Sequence, residues 1–190
     1  MNELYITSQI VGFIAFVISL IAFHMKEKRK IFKTLIAGNV LDIIHYFLLG
    51  AYSGCITKVI ALIRNEIIVL KEKNKKLDNY IVLIALAIVY IIAGVLTYKN
   101  IYSILPIIAA IIYLLFIWNG NELKVKKTAF YCYFLWLIYN ICVLSIAGIV
   151  SNSVAIISAF IAMHNEYKKA KEKKPNKWKI IRLNYIEFNK

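Results

Sequence analysis

The sequence is poor in the residues that form turns, linkers and covalent cross-links. It has 7 Gly, 2 Pro and 3 Cys in 190 residues, and neither Gly nor Pro clusters into a linker. One compact domain is therefore expected. Cys55, Cys132 and Cys142 lie in apolar segments and form no CxxC motif or paired spacing, so we predict neither a disulfide framework nor a metal site.

Acidic residues are also scarce. The 24 Lys and Arg outnumber the 10 Asp and Glu and give a net charge of +14. The basic residues lie in short runs between apolar stretches, as the positive-inside rule describes, and not as a basic patch on a soluble module. We therefore expect anionic lipids at the cytoplasmic face as partners, and no nucleic acid.

Apolar residues are abundant. They make up 61% of the chain, whereas a soluble domain has about 45–50%. A chain of this length cannot bury so much apolar surface in water, so the excess must face lipid. The first apolar stretch lacks the positive flank and small-residue cleavage site of a signal peptide, so it is predicted to stay as a membrane helix.

Seven stretches approach the length of about 20 mostly apolar residues that a spanning helix needs. The connections between them alternate between basic and nearly uncharged, which places the N-terminus outside and the C-terminus in the cytoplasm. The sequence thus predicts an all-α membrane protein with seven transmembrane helices. The stretches are 4–25, 31–50, from the turn 51–54 to 71, 80–98, 101–118, 128–146 and from about 148 to about 164.

A shift of 94 positions lays the first three helices over the last three without gaps. Lys33-Thr34 then falls on Lys127-Thr128, and the turn residue Gly54 falls on Gly148. We interpret this as a parallel repeat of three plus one plus three helices, as in transporters built around an axis along the membrane normal. The units are a first triple-helix bundle (1–79), a linker helix (80–100), a second bundle (101–164) and a basic cytoplasmic tail (165–190).

Several short segments resemble a known family. They are Gly12-Phe13-Ile14-Ala15-Phe16, Lys28-Arg29-Lys30, the segment 45–52 and Ile63-Arg64-Asn65. With the helix plan, they resemble the superfamily of SWEET sugar carriers, PQ-loop proteins, PnuC vitamin carriers and the KDEL receptor. Within it the chain is most similar to the bacterial YgjV-type inner membrane proteins, which implies a multi-pass protein of the bacterial cytoplasmic membrane. It departs from the PQ-loop pattern, because Gln9 follows no proline and Pro106 precedes Ile107.

Polar residues at membrane depth are costly and are therefore candidates for function. The second helix carries one polar stripe at helical spacing, and the third carries Arg64 and Asn65. Counting from the turn 51–54 places Asp42 and Arg64 at nearly the same depth, so we predict that they pair. The pair either lines a polar cavity or only holds the first bundle together. The stripe comprises Gly38, Asn39, Asp42, His45 and Tyr46.

The second bundle supplies different chemistry at the equivalent positions. The shift places Trp136 opposite Asp42, Tyr139 opposite His45, Asn140 opposite Tyr46 and Ser158 opposite Arg64. Aromatic faces with a few polar groups suit a polar, partly planar or sugar-like solute. His45 either relays protons or only satisfies a hydrogen bond. The candidate substrate-binding residues are Asn39, Asp42, His45, Tyr46, Arg64, Asn65, Trp136, Tyr139, Asn140 and Ser158.

These observations favour a small carrier that passes a polar metabolite by alternating access between the two bundles. The alternative is a non-transporting receptor or a structural membrane protein of the same fold. No HExxH motif, phosphate loop or nucleophile elbow occurs in the sequence, so we expect neither an enzyme nor a cofactor. The sequence leaves the substrate and homo-oligomer formation open.

Overall fold

The computed structural model describes residues 3–24, 28–71, 74–119 and 122–172, and the regular structure within these ranges is helical, with no strand. This confirms the all-α prediction. Short 3₁₀ helices at Lys75–Leu77 and Ile101–Ile104 precede the fourth and fifth α-helices. The α-helices are α1 (Glu3–His24), α2 (Lys28–Leu48), α3 (Tyr52–Lys71), α4 (Tyr80–Leu96), α5 (Leu105–Asn119), α6 (Glu122–Cys142) and α7 (Ile146–Glu172).

Three helical segments within the described residues are long and apolar enough to cross a membrane: Glu3–Ile21, Ile101–Trp118 and Ile146–Asn165. Two helices carry shorter apolar segments, Ile36–Leu48 in α2 and Tyr80–Leu96 in α4. Length and composition alone therefore mark α1, α5 and α7 as candidate membrane spans.

Helices α2, α6 and α7 extend further at their basic ends than the apolar stretches predict. The apolar part of α7 ends at Asn165, close to the expected end near His164, but the helix continues to Glu172. The added residues are mainly Glu, Lys and Ala, which have high helix propensity and need no apolar surroundings. The rest of the predicted basic tail, residues 173–190, lies outside the described residues.

Six of the helices form a closed ring in which α1, α2, α3, α5, α6 and α7 each pack against the next, and α7 packs against α1. Helix α4 lies outside this ring against α3 and α5. A core of aliphatic side chains with Tyr90 and Trp118 joins these three helices. Lys71, at the end of α3, contacts both Asp78 (2.8 Å) and the Trp118 carbonyl (2.7 Å), which fixes the end of α5.

The turns between α2 and α3 and between α6 and α7 have matching backbone geometry. Gly50 has φ +66° and Leu144 has φ +55°, and these residues are 94 positions apart. After them, the amide of Ala51 donates to the Tyr46 carbonyl and that of Ser145 to the Asn140 carbonyl, both at 2.9 Å. This is the hydrogen bond of a Schellman motif, in which a left-handed residue ends the helix.

These turns correct two positions in the sequence analysis. Gly54 and Gly148 were expected within the turns, but they lie in the first turns of α3 and α7. The residue that must adopt positive φ is the second one after the end of α2, which is Gly50. The two helix glycines have a packing role instead.

Candidate functional site

A layer of hydrogen-bonded side chains crosses the ring close to the two Schellman turns. We call it the polar layer and define it as His45 and Tyr46 of α2 with Tyr139 and Asn140 of α6. Each of the four side chains is at most 3% exposed. Helical spacing puts the two residues of each pair on adjacent sides of its helix, so the layer can reach α1, α3 and α7 as well.

His45 joins three parts of the chain. Its Nδ1 lies 2.6 Å from the Ser8 carbonyl of α1, and its Nε2 lies 2.7 Å from Ser145 Oγ at the start of α7. A carbonyl can only accept, so Nδ1 carries the proton. Ser145 Oγ accepts from the Gly148 amide (3.0 Å), which leaves its own proton for Nε2. A neutral His45 therefore satisfies every bond at this point.

Tyr139 is the residue that the 94-residue shift places opposite His45, and it contacts the turn between α2 and α3. Its hydroxyl accepts from Ser53 Oγ and from the Gly54 amide, both at 3.0 Å, and donates to the Ala51 carbonyl at 3.2 Å. His45 reaches Ser145 and Tyr139 reaches Ala51, and these two contacts are related by the 94-residue shift.

Tyr46 and Asn140 are themselves equivalent under the shift, and they bond to each other. The Tyr46 hydroxyl donates to Asn140 Oδ1 at 3.0 Å across a separation of 94 residues. Contact between equivalent residues is the pattern expected beside a two-fold axis. The contacts of the polar layer are thus reciprocal under the 94-residue shift.

Two glycines allow the layer to close. A Cβ atom at Gly54 would lie 2.9 Å from a ring carbon of Tyr139, and one at Gly148 would lie 2.5 Å from Asn140 Cγ. Contacts below 3.0 Å require the structure to shift. The glycines therefore permit the close approach of α3 to Tyr139 and of α7 to Asn140.

Side chains of helix α1 form hydrogen bonds to the turn between α6 and α7. Gln9 donates to the Leu144 carbonyl (3.3 Å) and accepts from the Ala147 amide (3.1 Å), and the Tyr5 hydroxyl also bonds the Leu144 carbonyl (3.0 Å). These bonds satisfy backbone groups of a turn that places a non-glycine residue at positive φ.

A cavity of about 480 Å³ lies on the side of the polar layer away from the turns. Residues of α1, α2, α3, α6 and α7 line it, so both predicted bundles contribute. Its volume is within the range of about 300–1,000 Å³ that is usual for small-molecule sites. A smaller cavity of about 120 Å³ lies at the turns and is lined in part by Ser53, Asn100 and Tyr139.

The charged pair in the large cavity is Asp42 with Lys58, and the predicted pairing of Asp42 with Arg64 is wrong. Lys58 Nζ lies 2.7 Å from Asp42 Oδ2, and their side chains are 25% and 27% exposed, respectively. Helix α3 begins at Tyr52, so six residues separate each charge from its helix end at the turn. Arg64 is six residues further along, or about 9 Å deeper.

Arg64 lies in a different environment. It is 6% exposed, donates to the side chain of Asn65 (2.9 and 3.2 Å) and stacks over the Tyr113 ring of α5 with 4.9 Å between its guanidinium carbon and the ring centroid. Six residues at about 100° each turn Arg64 about 120° away from Lys58 around α3. It therefore faces α5 and not the cavity.

A model of the Imp-YgjV family, described as bacterial inner membrane protein, matches residues 6–170. The chain belongs to this family of bacterial inner membrane proteins. No curated protein and no solved structure matches the chain. The family match covers all seven α-helices apart from the first residues of α1 and the last of α7.

In this Imp-YgjV family member, six of the ten predicted site residues line the large cavity, among them Asn39, Trp136 and Ser158. Tyr139 and Asn140 lie in the polar layer, and Arg64 and Asn65 lie elsewhere. Sequence reasoning missed Lys58 as a site residue, although an Asp and a Lys at equal distance from a tight turn signal a pair. It also missed Asn152, which the 94-residue shift places opposite Lys58.

Proposed function

We propose that this inner membrane protein is a small-solute carrier that works by alternating access, with seven membrane crossings, an external N-terminus and a cytoplasmic C-terminus. The observation that carries the proposal is the large cavity at Asp42 and Lys58, which the polar layer separates from the smaller cavity at the turns. In one state of an alternating-access carrier, the binding cavity is closed on one side, and here the polar layer closes it. The smaller cavity at the turns lies beyond that closed side.

The matching halves support the mechanism. The 94-residue shift relates the two Schellman turns, the contacts of His45 and Tyr139, and the packing of α1 on α7 to that of α5 on α3. Two similar three-helix units can rock about an axis between them and expose the site to each side in turn. Helix α4 would then be the linker that gives the second unit the same orientation as the first.

A receptor or structural protein of the same fold is the second candidate. The complete hydrogen bonding of His45 and Tyr139 favours it, because a fully satisfied layer is costly to open. In that case the cavity would be reached from one side only.

Cysteine accessibility separates the two candidates. In a background with Cys55, Cys132 and Cys142 replaced by Ser, Asn39→Cys places a thiol in the cavity. Tyr52→Cys and Asn165→Cys, both at exposed positions, serve as the external and cytoplasmic controls. A membrane-impermeant maleimide is applied to intact cells and to inside-out vesicles.

A carrier predicts that position 39 reacts from both sides, faster from the cytoplasmic side. Labelling of position 39 from the cytoplasmic side alone, with both controls reacting as assigned, would contradict the carrier and support the receptor or structural protein. Labelling of Tyr52→Cys in inside-out vesicles only would overturn the proposed orientation.

A further inference from the structure

The ion pair in the large cavity leaves hydrogen-bonding atoms available to a ligand. Asp42 accepts from Lys58 through Oδ2, and Oδ1 has no hydrogen-bond partner within the described part of the chain. Lys58 Nζ has three protons and donates one of them to Asp42. The pair therefore presents one open acceptor and two open donors, side by side, to a cavity that a ligand can enter.

An aromatic face lies directly beside this pair. Lys58 Nζ is 5.2 Å from the centroid of the Trp136 ring, and Tyr46 packs against the same ring at 5.7 Å. Asn152, on α7, also lines the cavity and donates one amide proton to the Gly148 carbonyl (2.9 Å). This end of the cavity therefore combines a carboxylate, an ammonium group and the face of an aromatic ring.

Charge balance restricts what this end can bind. Asp42 and Lys58 are the only charged side chains among the described residues that line the cavity, so its formal charge is zero. A cation would occupy Asp42 and leave Lys58 uncompensated, and an anion would do the reverse. An unpaired charge at low dielectric is strongly unfavourable, whereas a ligand with both charges can replace each half of the pair.

Away from the ion pair and the turns, the described lining of the cavity carries no charge and is richer in apolar side chains. It includes Phe16, Leu20, Ala155, Ala159 and Ala162, with Ser19, Asn39, Tyr133 and Ser158 as its polar members. A sugar carries hydroxyls on all sides and needs polar partners on all sides. A ligand with a charged head and an apolar remainder matches the two ends better.

We infer that the cavity binds a zwitterionic α-amino acid with an apolar or aromatic side chain. The ammonium group bonds Asp42, the carboxylate bonds Lys58, and the side chain lies along Trp136 towards the apolar end. This inference rests on the proposed carrier function, because it names the class of substrate for the same cavity.

The test measures ligand binding separately from transport. The purified wild-type protein is screened by thermal shift against the twenty protein amino acids and against glucose and sucrose. The amino acid with the largest shift is then compared with its amide, which is only a cation, and its N-acetyl derivative, which is only an anion. Flux of the same amino acid is measured in proteoliposomes.

We expect one or more apolar amino acids to raise the melting temperature, and both single-charge derivatives to bind at least about tenfold more weakly. Asp42→Asn and Lys58→Gln should each lose the shift. The exchange variant D42K/K58D keeps a pair within the protein, so it controls for folding and should recover part of the binding.

The outcomes separate the two proposals. Binding of amino acids without flux would support the inference and contradict the carrier. Flux of a sugar that is unaffected by Asp42→Asn would overturn the inference and keep the carrier, whereas binding of a sugar without flux would overturn both. Absence of a shift with any of the twenty amino acids would overturn the inference, whatever the flux of other solutes.

Discussion

At the scale of single residues, the position of a charge along its helix decided its partner. Asp42 and Lys58 are each six residues from the helix end at the same tight turn, and they pair at 2.7 Å. Arg64 is deeper and lies on another face of α3, where it donates to Asn65 and stacks over the Tyr113 ring. The two cations Lys58 and Arg64 of α3 therefore belong to two separate environments.

This arrangement predicts a coupling between Asp42 and Lys58. Lys58→Met leaves the carboxylate of Asp42 without its partner and should lower the free energy of unfolding by about 1–3 kcal/mol, less than for a fully buried pair because both groups are partly exposed. The double variant D42N/K58M should recover most of this loss. Reversible unfolding in detergent measures each value.

Arg64 provides the control for this cycle. Because Asp42 and Arg64 share no partner among the described residues, the effects of Asp42→Asn and Arg64→Gln should add within about 0.5 kcal/mol. A coupling between these two that is larger than the coupling of Asp42 with Lys58 would show that the original prediction from the sequence was correct.

The sequence predicted the stripe of α2 but not the contacts of α3. Asn39, Asp42, His45 and Tyr46 share one face because helical spacing fixes their relative directions, and the structure places all four on the cavity. The rotation of α3 against α2 depends on where the turn ends. The sequence placed the end of α2 at 50 and the last turn residue at 54, whereas the structure ends α2 at Leu48 and begins α3 at Tyr52, so counting from the turn moved the position opposite Asp42 by about four residues towards Arg64.

At the scale of helices and turns, the sequence predicted more than it did for side-chain partners. Apolar length gave all seven helices, and the shift of 94 residues paired two turns whose backbone bonds agree. It could not show that the second turn places Leu144 at positive φ, because no glycine marks that position. Three bonds from α1 to Leu144 and Ala147 hold that turn instead.

Glycine and alanine substitutions at the positive-φ positions of the two turns should change stability in opposite directions. Leu144→Gly removes a side chain that is 68% exposed and relieves a left-handed conformation, so it should raise the free energy of unfolding by up to about 1 kcal/mol. Gly50→Ala, at the equivalent position, should lower it by about 1 kcal/mol. Equilibrium unfolding of both variants provides the comparison, and a loss of stability in Leu144→Gly would contradict it.

Helix packing at the polar layer predicts a second effect. An alanine side chain at Gly54 would meet the Tyr139 ring at 2.9 Å, so Gly54→Ala should cost about 1–3 kcal/mol of stability. Gly94→Ala is the matched control, since its Cβ would meet only side-chain atoms of Ile107, at 3.2 Å or more. Equal effects of the two substitutions on the melting temperature would argue against a tightly packed layer.

At the scale of the whole molecule, the polar layer and the cavity lie at successive depths along the axis of the helix ring. The layer joins α1, α2, α3, α6 and α7 through the hydrogen bonds of His45, Tyr46 and Tyr139. In a carrier, the strength of these bonds sets the balance between the state closed at the turns and the state open there. Weakening the layer should therefore shift that balance without changing the cavity.

Tyr139→Phe tests this shift. It removes the hydroxyl that bonds Ser53, Gly54 and Ala51, at a net cost of about 1–2 kcal/mol to the closed state. The open population should rise about 5–30-fold, because each 1.4 kcal/mol is a factor of ten. Maleimide labelling of Asn39→Cys from the external side should accelerate by a similar factor, while cytoplasmic labelling should not increase.

Tyr90→Phe is the matched control for that experiment. The Tyr90 hydroxyl is buried and has no hydrogen-bond partner within the described ranges, and α4 lies outside the ring. Its removal should change neither labelling rate. A protein with a purely structural layer would lose stability in Tyr139→Phe but would show no faster external labelling at 39, because no second state exists for the substitution to populate.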